Sequence, residues 1–272
     1  MPASYYENQK TLSEYLLFHY GKLEQILPYP FGPREHLDFP ARCVSECLDI
    51  SRLPSKARAL DLGCAVGRSS FELSRYCESV IGIDASKKFI KAAREIQRHG
   101  FIRFERVEEG SLTTSCKVKL PTKVHANRVS FQIGDALNLQ VALKQLPLSR
   151  ARKNGNDTNM FRKFDVVLLA NLIDRLRDPQ KCLAQLPKYV KAGGQLIITS
   201  PYTWLEEFTP RKNWLCCGVA RNKKRITTLD SLKKILQRDF QLLRTKDLPF
   251  VIREHARKFQ WSVAQASVWI KQ

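Results

Sequence analysis

Asp61, Gly63 and Gly67 close the run ALDLGCAVGRSS (59–70), in which a short apolar stretch ends on an acid and opens into a glycine-containing turn. A loop that cradles phosphates needs two glycines five apart, then Lys and Ser or Thr, because the lysine must reach the terminal phosphates. Here Gly67 is followed by Arg68 and Ser69. A dinucleotide turn needs G-x-G-x-x-G to bring backbone against a pyrophosphate, and Ala65 breaks that order. What remains is Asp-x-Gly-x-x-x-Gly, an acid at a strand end and two glycines that let backbone approach a ligand lacking phosphate. The charge of Asp61 favours a cationic one.

Three more residues could do chemistry with it. Asp84 in GIDAS, Asp135 in IGDALNL and Asn171 in FDVVLLANLIDRL each end an apolar run, and Ser200 to Tyr202 end another. An acid at the end of a second strand can accept both hydroxyls of a ribose. Asp135 could accept from an adenine amino group. A strand-end Asp also serves as an ordinary helix cap, so it is the ordered set that points to a site.

Such residues meet only if the runs form one sheet. ARALDLG, SVIGID, VSFQIGD, FDVVLLA and GQLIITS read as strands buried on both faces, with helical patterns between them. In SKKFIKAAREIQRHG, Ser86 can cap, Phe89, Ala92, Ala93 and Ile96 share a face, and Gly100 can end the helix. RSSFELSRYC, DPQKCLAQLPKYV and TTLDSLKKILQRDF supply further helices. Strand and helix alternation with right-handed crossovers makes an α/β, doubly wound, Rossmann-like sheet. Its ligands bind at the carboxyl ends of the strands. FQLLRTKDL and FQWSVAQASVWI (259–270) add an antiparallel terminal pair. The expected organisation is an N-terminal helical and aromatic lid (1–55) and a main domain (56–272). An inserted hairpin lies at about 101–127 and a basic loop at about 147–162. In the lid, TLSEYLLFHYG reads as a helix with Thr11 and Glu14 at capping-box spacing.

Composition bounds the class. The 272 residues, 43% of them hydrophobic, suffice for a sizeable core. No stretch approaches the roughly 20 apolar residues of a membrane span, and MPASYYENQK is no secretory leader; the expected location is the cytoplasm. Eight cysteines without a C-x-x-C pattern read as buried free thiols, with the adjacent Cys216 and Cys217 standing apart. The five histidines do not pair with them at ligand spacing, so no metal site is expected. A net charge of +20 could serve nucleic acid, but the basic residues are scattered, with loose clusters at Arg150 to Lys163 and Arg221 to Arg225. Nucleic-acid binding is therefore disfavoured relative to a solvated basic surface.

LDLGCAVG, GIDAS, IGDALNL and FDVVLLANLIDRL together resemble the four motifs of class I S-adenosylmethionine-dependent methyltransferases. The resemblance implies S-adenosylmethionine as cofactor, with Asp61, Gly63, Cys64 and Gly67 around its methionine part, Asp84 and Ala85 at the ribose, Asp135 and Ala136 at the adenine, and Asn171 nearby. Ala65 departs from the commonest glycine of the family, a change expected to cost room. Family members that methylate exocyclic base amines carry D/N-P-P-Y/F at the fourth strand. Here that place reads ANLID and the SPY at 200–202 comes one strand later, which disfavours such a substrate.

YPFGPREHLDFPARCV, SPYTWLEEFTPRKNWL and IREHARKFQWSVAQASVW closely resemble the C-terminal methyltransferase domain of ovothiol biosynthesis enzymes, the 5-thiohistidine (4-mercaptohistidine) N-methyltransferases. The resemblance runs from about Tyr5 to Trp269. It departs at NWLCCG, where the family is expected to carry a glycine pair in place of Cys216 and Cys217. It implies methyl transfer to an imidazole nitrogen of 5-thiohistidine, a substrate supplied by an iron-dependent sulfoxide synthase that is separate or fused. The amino-acid carboxylate calls for an arginine fork, for which Arg34, Arg175 and Arg253 are candidates. Phe31, Tyr202 and Trp204 could stack on the ring, and Asn171, Tyr202 or His255 could act at it. An RNA or protein side-chain acceptor, and a non-catalytic partner subunit, are the competing readings.

Overall fold

The computed structural model describes residues 5–144, 163–218 and 225–272. The basic loop at 147–162 and most of the 221–225 cluster lie outside the described residues. The chain opens with α1 (Gln9–Tyr20), α2 (Leu23–Ile26) and α3 (Phe39–Ser45). The side chain of Asn8 accepts from Thr11 N, so α1 begins a turn before the expected Thr11 cap. Thr11 and Glu14 form no capping box because both are already inside the helix.

Strand β1 (Arg58–Leu62), α4 (Arg68–Leu73), β2 (Ser79–Asp84) and α5 (Lys87–His99) follow. Ser86 Oγ accepts from Phe89 N, and Gly100, at φ +75°, ends α5 by donating to Ile96 O. Phe89, Ile90, Ala92, Ala93 and Ile96 are its buried face. Burying each of the large ones contributes about 1.5–3 kcal/mol. A separate antiparallel hairpin, β3 (Phe101–Glu109) and β4 (Leu112–Lys119), precedes β5 (Val129–Ile133) and α6 (Leu139–Lys144).

The main sheet is completed by β6 (Phe164–Ala170), then α7 (Pro179–Gln185), β7 (Val190–Ser200), α8 (Thr228–Leu236), β8 (Phe240–His255) and β9 (Lys258–Lys271). Its order is β5-β2-β1-β6-β7-β9-β8, parallel from β5 to β7, with β9 antiparallel to both neighbours. The order reverses between β1 and β6, where the β1 connection runs one way and the β6 connection the other. That is the switch point at which such sheets bind ligands.

Because side chains alternate across a strand, each central strand feeds two cores. Val166, Leu168 and Ile197 enter one, while Val167, Leu169, Leu196 and Ile198 enter the other. Leu12, Leu16, Leu17, Phe39 and Val44 of the N-terminal helices join the first core. Residues 5–55 are thus built into the main core, with α1 against β8 and the β3–β4 hairpin.

Six cysteines are free and buried. Cys216 and Cys217 are bonded to each other, their Cα atoms 3.8 Å apart. Cys217 takes φ +73°, a conformation that a glycine adopts without strain. No helix among the described residues is long and apolar enough to cross a membrane.

Candidate functional site

A cavity of about 840 Å³ opens at the carboxyl ends of β1, β2, β5 and β6. Gly63, Ala65, Asp84, Ala85, Asp135, Ala136 and Asn171 all lie on its wall. Gly63 has φ +72°, and a Cβ there would meet Leu172 Cδ1 at 2.7 Å. Ala65 is also left-handed, at φ +46°. Its substitution therefore costs conformational energy, about 1–2 kcal/mol for a residue with a Cβ, where the sequence suggested a cost in room.

Asp84 holds this turn. Its Oδ2 accepts from Ala65 N at 2.9 Å and its Oδ1 from Ser86 N at 2.8 Å. Burial raises its carboxyl from the usual 3.8 to about 6, although those two N–H groups act against it. Each oxygen keeps a lone pair for a ligand donor. Asp135 is exposed, and Oδ1 accepts from Leu137 N at 2.8 Å, an Asx turn that presents Ala136 to the wall. Asn171, at φ +50°, accepts from Thr199 Oγ1 at 3.0 Å through Oδ1, which leaves Nδ2 as a donor.

Three other residues of the turn serve it from beneath. Asp61 is fully buried and not on the wall; its Oδ2 accepts from Ser69 Oγ at 2.7 Å and Ser70 Oγ at 2.6 Å, so it fixes the start of α4. Its Oδ1 has no partner, and burial pushes its carboxyl up to about 6. Cys64 is buried behind the turn, where burial holds its thiol well above the usual range. Gly67, at φ +86°, is the N-cap of α4, and a Cβ there would meet Phe131 Cζ at 2.5 Å. Its glycine is required by packing and backbone, not by ligand contact.

The acceptor candidates divide sharply. Arg175 reaches the wall, where Nη1 donates to Thr203 O at 2.8 Å and to Asp174 Oδ2 at 3.1 Å while the guanidinium lies over Phe208 at 4.8 Å. The others do not. Arg253 is buried under β8, donating to Gln25 O at 2.8 Å and pairing with Glu108, so it ties β8 to α2 and the hairpin. Arg34 is exposed and donates to Tyr29 O, and Phe31, 71% exposed, stacks on Tyr29. Trp204 is buried in the second core with Nε1 on Thr228 Oγ1. Tyr202 bonds Gln265 Oε1 through its hydroxyl, and only its neighbours Pro201 and Thr203 reach the wall. His255 sits at the β8–β9 turn, where Nδ1 accepts from Arg257 N at 3.2 Å. For Arg253 the cause is the strand, which sends alternate residues to opposite sides and turns Ile252 to the cavity instead.

Tyr6, Tyr15, His19, Asp174, Arg177 and Ser262 are on the wall although none was a site candidate from the sequence, Asp174 and Ser262 lying unremarked inside quoted motifs. Tyr15 stacks on His19, four residues on in α1, with centroids 5.8 Å apart, and packs on Phe89 of α5 at 4.8 Å. The i, i+4 spacing of two aromatic residues was the available signal. Burial raises the Tyr6 hydroxyl to about 12 and Tyr15 well above its usual value.

A sheet with this order, a left-handed turn after β1 and an acid at the end of β2 defines a Rossmann-like methyltransferase site. The model of the family described as "Methyltransferase domain" matches residues 34–243, and the chain belongs to that family. S-adenosylmethionine is its cofactor. The residues present fit it: the Asp84 carboxylate keeps lone pairs for ligand donors, and Asp84, Ala85 and Ala136 share the wall with Gly63 and Ala65 of the turn.

The chain is similar to norajmaline N-methyltransferase of Rauvolfia serpentina, 26% identical over 166 residues, 59% of this chain and 43% of that protein. An uncharacterised methyltransferase of Schizosaccharomyces pombe is 35% identical over 69 residues, 25% of this chain and 26% of that one. The chain thus spans less than half the length of these relatives. Among solved structures, the N-methyltransferase NodS from Bradyrhizobium japonicum, in complex with S-adenosyl-L-homocysteine, superposes with a TM-score of 0.47 at 13% identity, covering 96% of this chain and 98% of that one.

Proposed function

We propose that the protein transfers a methyl group from S-adenosylmethionine to an imidazole ring nitrogen of 5-thiohistidine, the last step of ovothiol formation. One observation carries this reading. The three sequence blocks that resemble the 5-thiohistidine N-methyltransferases are far apart in the chain, yet each lines the cavity that the cofactor turn opens into. Phe39 and Pro40 come from the first block, Pro201 and Thr203 from the second, and Ile252, Gln260 and Ser262 from the third. The blocks also bind one another: Tyr29 Oη donates to Ala256 O at 2.7 Å, and Trp261 Nε1 donates to His36 Nδ1 at 2.9 Å. That the Rauvolfia relative is an N-methyltransferase agrees with a nitrogen acceptor.

The chemistry asks little of the protein beyond positioning. S-adenosylmethionine, when bound, supplies an electrophilic methyl on a sulfonium that loses its charge as the methyl leaves. Arg175 keeps Nε and Nη2 free of partners among the described residues, an edge suited to a carboxylate. Asn171 Nδ2, as a donor, can hold the ring sulfur but cannot take a proton from the ring nitrogen. Tyr6, Tyr15, Phe39 and Phe250 exclude water from the wall, so orientation and desolvation supply the acceleration. The cavity lies within the range of about 300–1,000 Å³ of small-molecule sites, which suits a free amino acid beside the cofactor. An iron-dependent sulfoxide synthase, separate or fused, would supply the substrate.

The test is mass spectrometry of the purified protein with S-adenosylmethionine and reduced 5-thiohistidine, histidine being run in parallel. A single methyl gained on the thiolated compound alone is the expected result. Cofactor binding without methylation of either compound would overturn the reading and bring RNA or protein acceptors forward.

A further inference from the structure

His19 belongs to none of the motifs, yet it is the one histidine of the five on the cavity wall. It is 94% buried, being 6% exposed. Nδ1 has no hydrogen-bond partner, and no bond from Nε2 is formed among the described residues. A buried polar group without a partner is a loss to the fold. Such a nitrogen in a ring on the wall of a ligand cavity indicates that the partner arrives with the ligand.

The ring is also held in place. Tyr15 stacks on it at an interplanar angle of 29°, and Phe18 meets it edge-on with centroids 5.4 Å apart. The next residue, Tyr20, donates its hydroxyl to Val66 O at 2.7 Å, which pins the last turn of α1 to the cofactor turn. His19 therefore shares the wall with Gly63, Ala65 and Ser69 at the end of α1 that is tied to the turn, the part of the site that borders the methionine end of the cofactor.

Burial and the neighbouring Arg68 push the imidazole down to about 3, so it is neutral at physiological pH. A neutral imidazole carries one N–H donor and one acceptor nitrogen. The neighbouring Arg68 is paired with Asp38 at 3.2 Å and Glu72 at 2.7 Å, so the neutral ring is left as a hydrogen-bond donor with no carboxylate of the protein on it. We propose that His19 is a cofactor-binding residue whose ring N–H donates to the carboxylate of the amino-acid head of S-adenosylmethionine. This assignment rests on the cofactor and not on the identity of the methyl acceptor.

The experiment is calorimetric titration of wild type, His19→Phe and His19→Asn with S-adenosylhomocysteine and with its decarboxylated analogue. His19→Phe keeps the aromatic stack, and thermal denaturation reports whether each variant folds. His19→Asn retains an amide donor near the position of Nδ1. Removing a hydrogen bond to a charged group is expected to weaken S-adenosylhomocysteine about tenfold in His19→Phe. His19→Asn should recover part of that loss, and the decarboxylated analogue should bind wild type and His19→Phe alike. Equal losses for both ligands, or none for either, would overturn the assignment. So would unchanged S-adenosylhomocysteine affinity with a raised KM for the acceptor, which would move His19 to the acceptor's own amino-acid head.

Discussion

Ala65 N donates to Asp84 Oδ2 at 2.9 Å, so the acid at the end of β2 holds the turn after β1 in its left-handed form. The same carboxylate faces the cavity, which couples the shape of the turn to the ribose end of the site. Asp84→Ala should lose both the ligand acceptor and the clamp, weakening S-adenosylhomocysteine by about 2 kcal/mol or more. Calorimetry on the folded variant checks it; unchanged affinity would remove Asp84 from the site.

Cofactor affinity should depend on pH through the same group. Burial raises the Asp61 and Asp84 carboxyls from 3.8 to about 6. Between those values the folded state binds more protons than the unfolded one, so their contribution to stability falls as pH rises from about 4 to about 6. Ribose hydroxyls and a sulfonium both prefer the ionised carboxylates. Affinity for S-adenosylmethionine should therefore rise through about pH 6 and level off above it, and Asp84→Asn should flatten the profile. A wild-type profile that is flat across that interval would count against a role for Asp84 in binding.

Two of the three left-handed positions of the turn, Ala65 and Gly67, should respond in opposite ways. Ala65→Gly relieves a backbone strain of about 1–2 kcal/mol against a gain in unfolded-state freedom of about 0.4–1 kcal/mol. Its stability should stay level or rise, by up to about 1.6 kcal/mol. Gly67→Ala adds the same strain and drives a Cβ to 2.5 Å from Phe131 Cζ, for a loss of about 2–4 kcal/mol. Denaturant titration of the two variants distinguishes them, and equal stability would mean that the turn is not held left-handed in solution.

Arg253→Met should act on stability and leave the substrate constants alone. The guanidinium is 3% exposed and joins Gln25 O and Glu108 across three elements. Breaking a buried pair costs about 3–5 kcal/mol, and the part-exposed Glu108 brings this nearer about 3. An increase in the acceptor KM with unchanged stability would return Arg253 to the substrate site.

The contrast between Asp84 and Arg253 shows what the sequence could reveal. Strand ends were legible because apolar runs of Val, Ile and Leu stop at a polar residue, and the doubly wound order then carries Asp84, Ala136 and Asn171 to one edge. The acceptor side was not, since it depends on which face each residue of a loop or hairpin presents. Arg253 and Ile252 are adjacent in β8, yet Ile252 lines the cavity and Arg253 turns away from it. Tyr15 and His19 were hidden for another reason: an aromatic face on α1 reads equally as core, and only tertiary packing places it over the turn.

Arg175 is the sole arginine of the three sequence candidates on the cavity wall. Asp174 and Thr203 anchor Nη1 and Phe208 supports the guanidinium plane, so the fork is oriented before any ligand arrives. Asp174 is 1% exposed and burial raises its carboxyl, an effect that Arg175 opposes. Arg175→Lys keeps the charge but loses the planar fork; it should raise the KM for the amino-acid acceptor about tenfold, a loss near 1.4 kcal/mol. Arg175→Ala should raise it further and also destabilise the fold, because Asp174 is left buried without its cation. Cofactor affinity should be unaffected in Arg175→Lys. Steady-state kinetics with calorimetry separate the outcomes: a kcat loss at constant KM would place the arginine at the reacting ring and not at the carboxylate.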